Sequence, residues 1–183
     1  GRVPVLRLDG LVRFARWIRA LAGWEATGDY ARFADLLRQD GVHEDLAGGL
    51  VRAAFLEQTQ QVGQAAGALR GARPLLAKVP VESVSGLFVR DLDTATAWAE
   101  EEGLARRQWS LARNAWGRGL YVRATTLGLE AMITEHARGC GVTDPEDYAH
   151  RRASQDALNE SFHARKNELR AKDLKTPDEG ARE

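Results

Sequence analysis

The chain has 183 residues, enough for one compact domain whose core needs no disulfide or metal staple. Lysine plus arginine balance aspartate plus glutamate at 26 each, so no overall basic excess speaks for nucleic acid and any anion must be held by a local cluster. The single Cys140 excludes an intrachain disulfide and a multi-cysteine zinc site, and His43, His136, His150 and His163 lack paired metal-ligand spacing.

No cofactor or metal is expected on this reading. No apolar run approaches membrane-spanning length, and "GRVPVLRLDG" lacks the regions of a signal peptide, so a soluble, cytoplasmic protein is expected.

The opening "RVPVLRL" reads as a short extended segment, residues 1–9. A leading Gly1 without Met points to a tag remnant or to a domain cut from a longer protein, with this piece as linker. From there the apolar spacing is helical nearly throughout. Asp9 is placed to cap a helix over residues 10–26, with Leu11, Phe14, Ala15, Ile18, Leu21 and Ala22 on one face and Arg13, Arg16 and Arg19 outside it. Those arginines, with Arg2 and Arg7, read either as a phosphate-facing stripe or as a solvated face. Gly28 ends this helix, Asp29 caps a short second one, and Gly41 closes it.

From His43 one long helical stretch is expected up to Pro74. Its small residues (Gly48, Gly49, Gly63, Gly67, Ala65, Ala66) would let a neighbouring helix approach closely. Residues 74–91 are irregular, punctuated by Pro74, Pro80 and Gly86, with Asp91 or Asp93 as the next cap. Helices over residues 94–102, 104–116 and 120–138 follow. A last helix, capped at Thr143 or Asp144 with Pro145 in its first turn, runs toward Leu169. A charged tail occupies residues 173–183. The expected fold is all-α, a bundle of about six or seven helices over residues 10–172.

Residues 104–133 form a helical hairpin joined at "WGRG", with Trp109, Ala112 and Ala115 on its first helix and Tyr121, Ala124, Leu127 and Ala131 on its second. A single tetratricopeptide-like unit is built in the same way, so a non-enzymatic scaffold that binds a protein partner is one functional reading.

The other comes from a resemblance. "VPVLRLDGLVRFARWIRAL", "TGDYARFADLL" and "LARNAWGRGLYVRATTLGLEAMI", in that order, resemble the helical C-terminal region of CRISPR-associated effectors that join a CARF sensor to a HEPN ribonuclease domain. The resemblance covers roughly residues 3–160 and implies a helical homodimer that cleaves single-stranded RNA without metal, in antiviral defence. It also implies an Arg, followed by Asn or another polar residue, with His about four to six residues on. The arginine would stabilise the developing phosphorane charge and the histidine would move the proton.

One pair in this chain matches that pattern literally, and it does not lie on one helix. Arg113 with Asn114, and Arg165 before Asn167, are the nearest catalytic candidates, and neither is followed by a histidine. Arg38 and His43, separated by "QDGV", have the spacing but straddle a helix end. Either the motif lies beyond Glu183 or the site has decayed. Arg113 and Asn114 otherwise read as a polar face beside a packing ridge of Trp109 and Trp116. Arg151 and Arg152 are candidates to meet RNA phosphates or to lie on the bundle rim, and Glu130 to hold an active-site arginine in place or, the safer expectation, to pair with one structurally.

Overall fold

The computed structural model describes residues 9–142, 144 and 147–173, so the expected extended opening and charged tail lie outside the described residues apart from their innermost positions. The described chain is all-α, with no strand, and contains eight α-helices. It divides into two compact units, Gly1–Leu129 and Glu130–Glu183.

The first unit begins with α1 (Asp9–Thr27), whose acidic first residue complements the helix dipole. Gly28 ends it at φ +76, with its amide bonded to the Trp24 carbonyl. The helix forms where expected and buries the other face. Trp17 and Ala20 are buried, whereas Leu11, Phe14 and Ile18, expected in the core, are 66%, 41% and 45% exposed. Trp17, Ala20 and Trp24 make their own stripe at helical spacing, and its aromatic payload wins. The Trp17 ring stacks on Phe33 at 5.6 Å and on Phe88 at 5.1 Å, and its indole N–H donates to Asp40 at 3.3 Å.

In the turn that follows, Asp29 accepts the Ala31 amide at 2.9 Å, and α2 (Arg32–Gln39) then buries Phe33, Leu36 and Leu37. Helix α3 (Glu44–Gln58) is capped by the His43 ring, which accepts the Asp45 amide. The single stretch expected over residues 43–74 is broken. Gln60 takes φ 61, Gln61 N–H bonds back to the Leu56 carbonyl, and α4 (Val62–Ala72) starts afresh. No glycine or proline marks this break, so composition could not reveal it. The expected close approach is present in one place: a Cβ on Gly49 would stand 2.6 Å from the Ala72 Cβ.

Residues 73–103 are mostly tight turns around α5 (Val89–Thr96). The helix expected over 94–102 thus begins earlier, with Asp91 and Asp93 inside it, because Phe88 and Leu92 are both drawn into the core. Only a short 3-10 turn, Ala97–Glu100, continues it. Gly86 is required here, since a Cβ would collide with the Pro80 carbonyl and with Val81. Helices α6 (Leu104–Gly117) and α7 (Tyr121–Gly139) form the expected hairpin, with Gly119 at φ +76 between them. The second unit takes the end of α7 and α8 (Tyr148–Asp173). Asp147, rather than Asp144, caps α8 by accepting the His150 amide at 3.0 Å; Thr143 and Pro145 lie outside the described residues.

Candidate nucleic-acid interface

The outward face of α6 carries the clearest functional pattern. Residues 106, 109, 113 and 116 recur at spacings of three, four and three, which sets them on one helical face. They are Arg106, Trp109, Arg113 and Trp116, and all four are exposed, the tryptophans by 43% and 63%. The other side of the helix faces the core, where Gln108, Leu111, Ala112 and Ala115 are buried. Trp109 lies against α7 at Gly128, where an added Cβ would meet its ring at 3.5 Å. At the far end, Tyr121 meets Trp116 edge to face, centroids 5.0 Å apart, with Tyr121 58% exposed. The packing ridge expected of Trp109 and Trp116 is therefore a surface ladder of alternating cations and aromatic rings.

Neither Arg106 nor Arg113 makes an ion pair among the described residues. Arg13 pairs with Asp40 at 3.4 Å, Arg38 is held by Glu44 and Asp35, and Arg73 by Asp93 and Glu100. Arg106 and Arg113 instead line, with Glu101 and Trp109, an open cavity of about 460 Å³. Two uncommitted guanidiniums beside indole rings can attract phosphates and stack bases.

The turn between α6 and α7 is tied down from below. Arg118 lies over the Trp24 ring at 4.9 Å, and Arg123 donates to the buried Glu57 carboxylate at 2.5 Å. Both guanidiniums crowd the turn after α1: a Cβ on Gly28 would lie 3.6 Å from Arg118 Nη1 and 3.9 Å from Arg123 Nη1. Burial pushes the Glu57 carboxyl up, against the opposing pull of Arg123 and Arg118. Burial, with Glu57 beside it, also raises the Tyr30 phenol, and desolvation lowers the Arg118 guanidinium.

In the second unit, Arg151 pairs with Glu130 and donates to Thr134 Oγ1 at 3.3 Å; Glu130 and Thr134 stand one turn apart on α7. Arg152 is exposed and donates to the Tyr148 hydroxyl at 3.3 Å. Glu130, Tyr148, Arg151 and Arg152, with Ile133, Gln155 and Asp156, line a cavity of about 410 Å³. Glu130 is thus ion-paired with Arg151. Two carboxylates in the lining, Glu130 and Asp156, offset its cations.

The remaining candidates separate. Consecutive helical residues point about 100° apart, and Asn114 is exposed but does not line the cavity that Arg113 lines. Arg165 is exposed on α8 and bound to Glu168 at 2.7 Å. His43 is spent as a cap, His150 is 2.9 Å from Asp147, and His163 is exposed beside Phe162. Arg13, Arg16 and Arg19 are exposed, with Arg13 paired to Asp40 and Arg16 donating to Gln39; Arg2 and Arg7 lie outside the described residues.

Among the described residues no group of three or more His, Cys, Asp or Glu could hold a metal ion, and no helix is long and apolar enough to cross a membrane. Sequence reasoning missed Arg106 altogether, although its spacing from Trp109, Arg113 and Trp116 was there to be counted. No family model, curated protein or solved structure matches the chain. What the fold and the face of α6 define is a class: an all-α helical protein with a cationic, aromatic surface strip.

Proposed function

We propose that this chain binds single-stranded RNA along the outer face of α6, as the helical domain of a cytoplasmic CRISPR-associated defence protein. The observation that carries the reading is the alternation Arg106, Trp109, Arg113, Trp116 on one exposed helical face, closed by Tyr121. Along an α-helix the two tryptophans stand roughly 10 Å apart, a span that a short stretch of extended strand covers, with phosphates reaching the intervening arginines. The resemblance to CARF-HEPN effectors supports RNA as the strand. Metal-independent cleavage in a homodimer is the fuller form of this reading. It requires an imidazole beside an arginine, which this face does not supply.

Fluorescence anisotropy with a labelled uridine oligomer, in EDTA, tests the proposal. Binding that a Trp109→Ala, Trp116→Ala double substitution abolishes supports it; equal binding by wild type and double variant sinks it. Product analysis in the same tube reports cleavage separately.

A second reading, a tetratricopeptide-like scaffold that binds a protein partner, is favoured by the aliphatic face of α1, where Leu11, Val12 and Ile18 are 66%, 51% and 45% exposed among the described residues. Sedimentation and partner capture, each repeated with Leu11→Ser and Ile18→Ser, test that surface.

A further inference from the structure

The cavity at the start of α6 contains a residue that phosphate attraction alone does not explain. Glu101 lines it together with Arg106, Trp109 and Arg113, placing one carboxylate among two cations and an indole. A structural carboxylate would be expected to neutralise a neighbouring arginine. Glu101 makes no ion pair among the described residues, so both of its oxygens remain available.

Its position is fixed by the backbone. The Glu101 amide donates to the Trp98 carbonyl at 3.3 Å, and its own carbonyl accepts Arg107 Nε at 2.9 Å. Trp98 is buried, so this end of the cavity is anchored in the core.

Resting on the RNA-binding reading, we propose that this cavity is a guanine subsite. A base stacked on the exposed surface of Trp109 turns its edge toward the cavity wall, and Arg106 and Arg113 take the flanking phosphates. The Watson–Crick edge of guanine presents N1–H and the 2-amino group side by side, two parallel donors that a carboxylate accepts as a fork. Adenine and cytosine each set one amino donor beside a ring-nitrogen acceptor, which would face a carboxylate oxygen lone pair to lone pair. Uracil has a single N–H between two carbonyls. Guanine alone matches Glu101, and the unfavourable charge of Glu101 near phosphate is offset by that match.

The test uses the full chain and a set of short uridine oligomers with uridine, adenosine, cytidine, guanosine or inosine at the centre. The guanosine oligomer is expected to bind about tenfold tighter than the adenosine one, the discrimination of a good bidentate contact. Inosine, which lacks the 2-amino group, is expected to lose most of that gain. Glu101→Gln, which offers one acceptor and one donor, is expected to erase the guanine preference and move it toward adenine, while the all-uridine oligomer, relieved of a repelling charge, binds at least as tightly as before.

If uridine binds and guanosine gains nothing, the subsite is overturned and the RNA-binding reading survives. If Glu101→Gln tightens every oligomer equally, Glu101 acts only as a repelling charge and the subsite is overturned. If no oligomer binds, both ideas fall together.

Discussion

Arg123 of α7 donates to Glu57 of α3 at 2.5 Å, and the carboxylate it meets is almost wholly buried while the guanidinium still reaches solvent, its side chain 28% exposed. The two halves of the pair are therefore unequal. Arg123→Ala leaves a buried carboxylate with no hydrogen-bonded cation and is expected to cost about 3 kcal/mol of stability. Glu57→Gln leaves a guanidinium that solvent can serve, and at neutral pH it is expected to be near neutral or stabilising. The folded carboxyl is raised above its ordinary value of 4.5. Its contribution is thus complete below that value and lost as pH rises through the raised one. Urea titrations at several pH values on wild type and Glu57→Gln check this; an unchanged pH slope between them refutes it.

The ladder on α6 separates two kinds of contribution to binding. Trp109→Ala and Trp116→Ala are each expected to weaken single-strand binding by about 1–3 kcal/mol, the value of a stacked base. Arg106→Ala and Arg113→Ala are each expected to lower the slope of log affinity against log salt by about 0.7, one phosphate contact apiece. Salt titrations of anisotropy give both. A tryptophan variant that changed the salt slope, or an arginine variant that did not, would contradict the assigned roles.

Helix α1 turns its aromatic face inward, and stability measurements see that directly. Leu11→Ser and Ile18→Ser should alter unfolding free energy by no more than about 0.5 kcal/mol. Trp17→Ala, which empties the space between Phe33 and Phe88, should cost about 3–5 kcal/mol. Denaturation followed by far-ultraviolet circular dichroism distinguishes the two faces, and equal losses on both would reverse the assignment.

Gly49 sets propensity against sterics. An alanine there gains about 1 kcal/mol of helix propensity, but its Cβ would stand 2.6 Å from that of Ala72. Overpacking of this kind costs about 1–3 kcal/mol. The approach falls well inside normal contact, so Gly49→Ala is expected to destabilise on balance. Ala72→Gly in the same chain should recover part of the loss, as a double-mutant cycle will show.

Asp147 caps α8 through the His150 amide, and this bond, with the nearby imidazole, lowers its carboxyl below the ordinary value of 3.8. The cap's contribution is present above that value and disappears as pH falls through the lowered folded one. Asp147→Asn should make the first turn of α8 insensitive to acid, an effect amide exchange can follow.

Helix placement was legible in the sequence where glycines stand at the turns, as at Gly28, Gly41 and Gly119, each with positive φ. The break at Gln60 was not, because a left-handed glutamine carries no compositional mark. The inward face of α1 was misjudged for a different reason. Counting aliphatic residues favours Leu11 and Ile18, while two ring contacts and the bond to Asp40 place Trp17 inside. At the candidate site, the resemblance points to Arg113, which no histidine follows. Its meaning depended on Arg106, seven positions earlier, and on indoles whose exposure follows from packing on the other side of the helix.

Gly128 supplies the floor on which the Trp109 indole rests. A methyl group there would only touch the ring, but a longer branch would tilt the indole up and change the height at which a nucleobase is received. That one backbone position can therefore tune how firmly a strand is gripped without altering any residue that touches it.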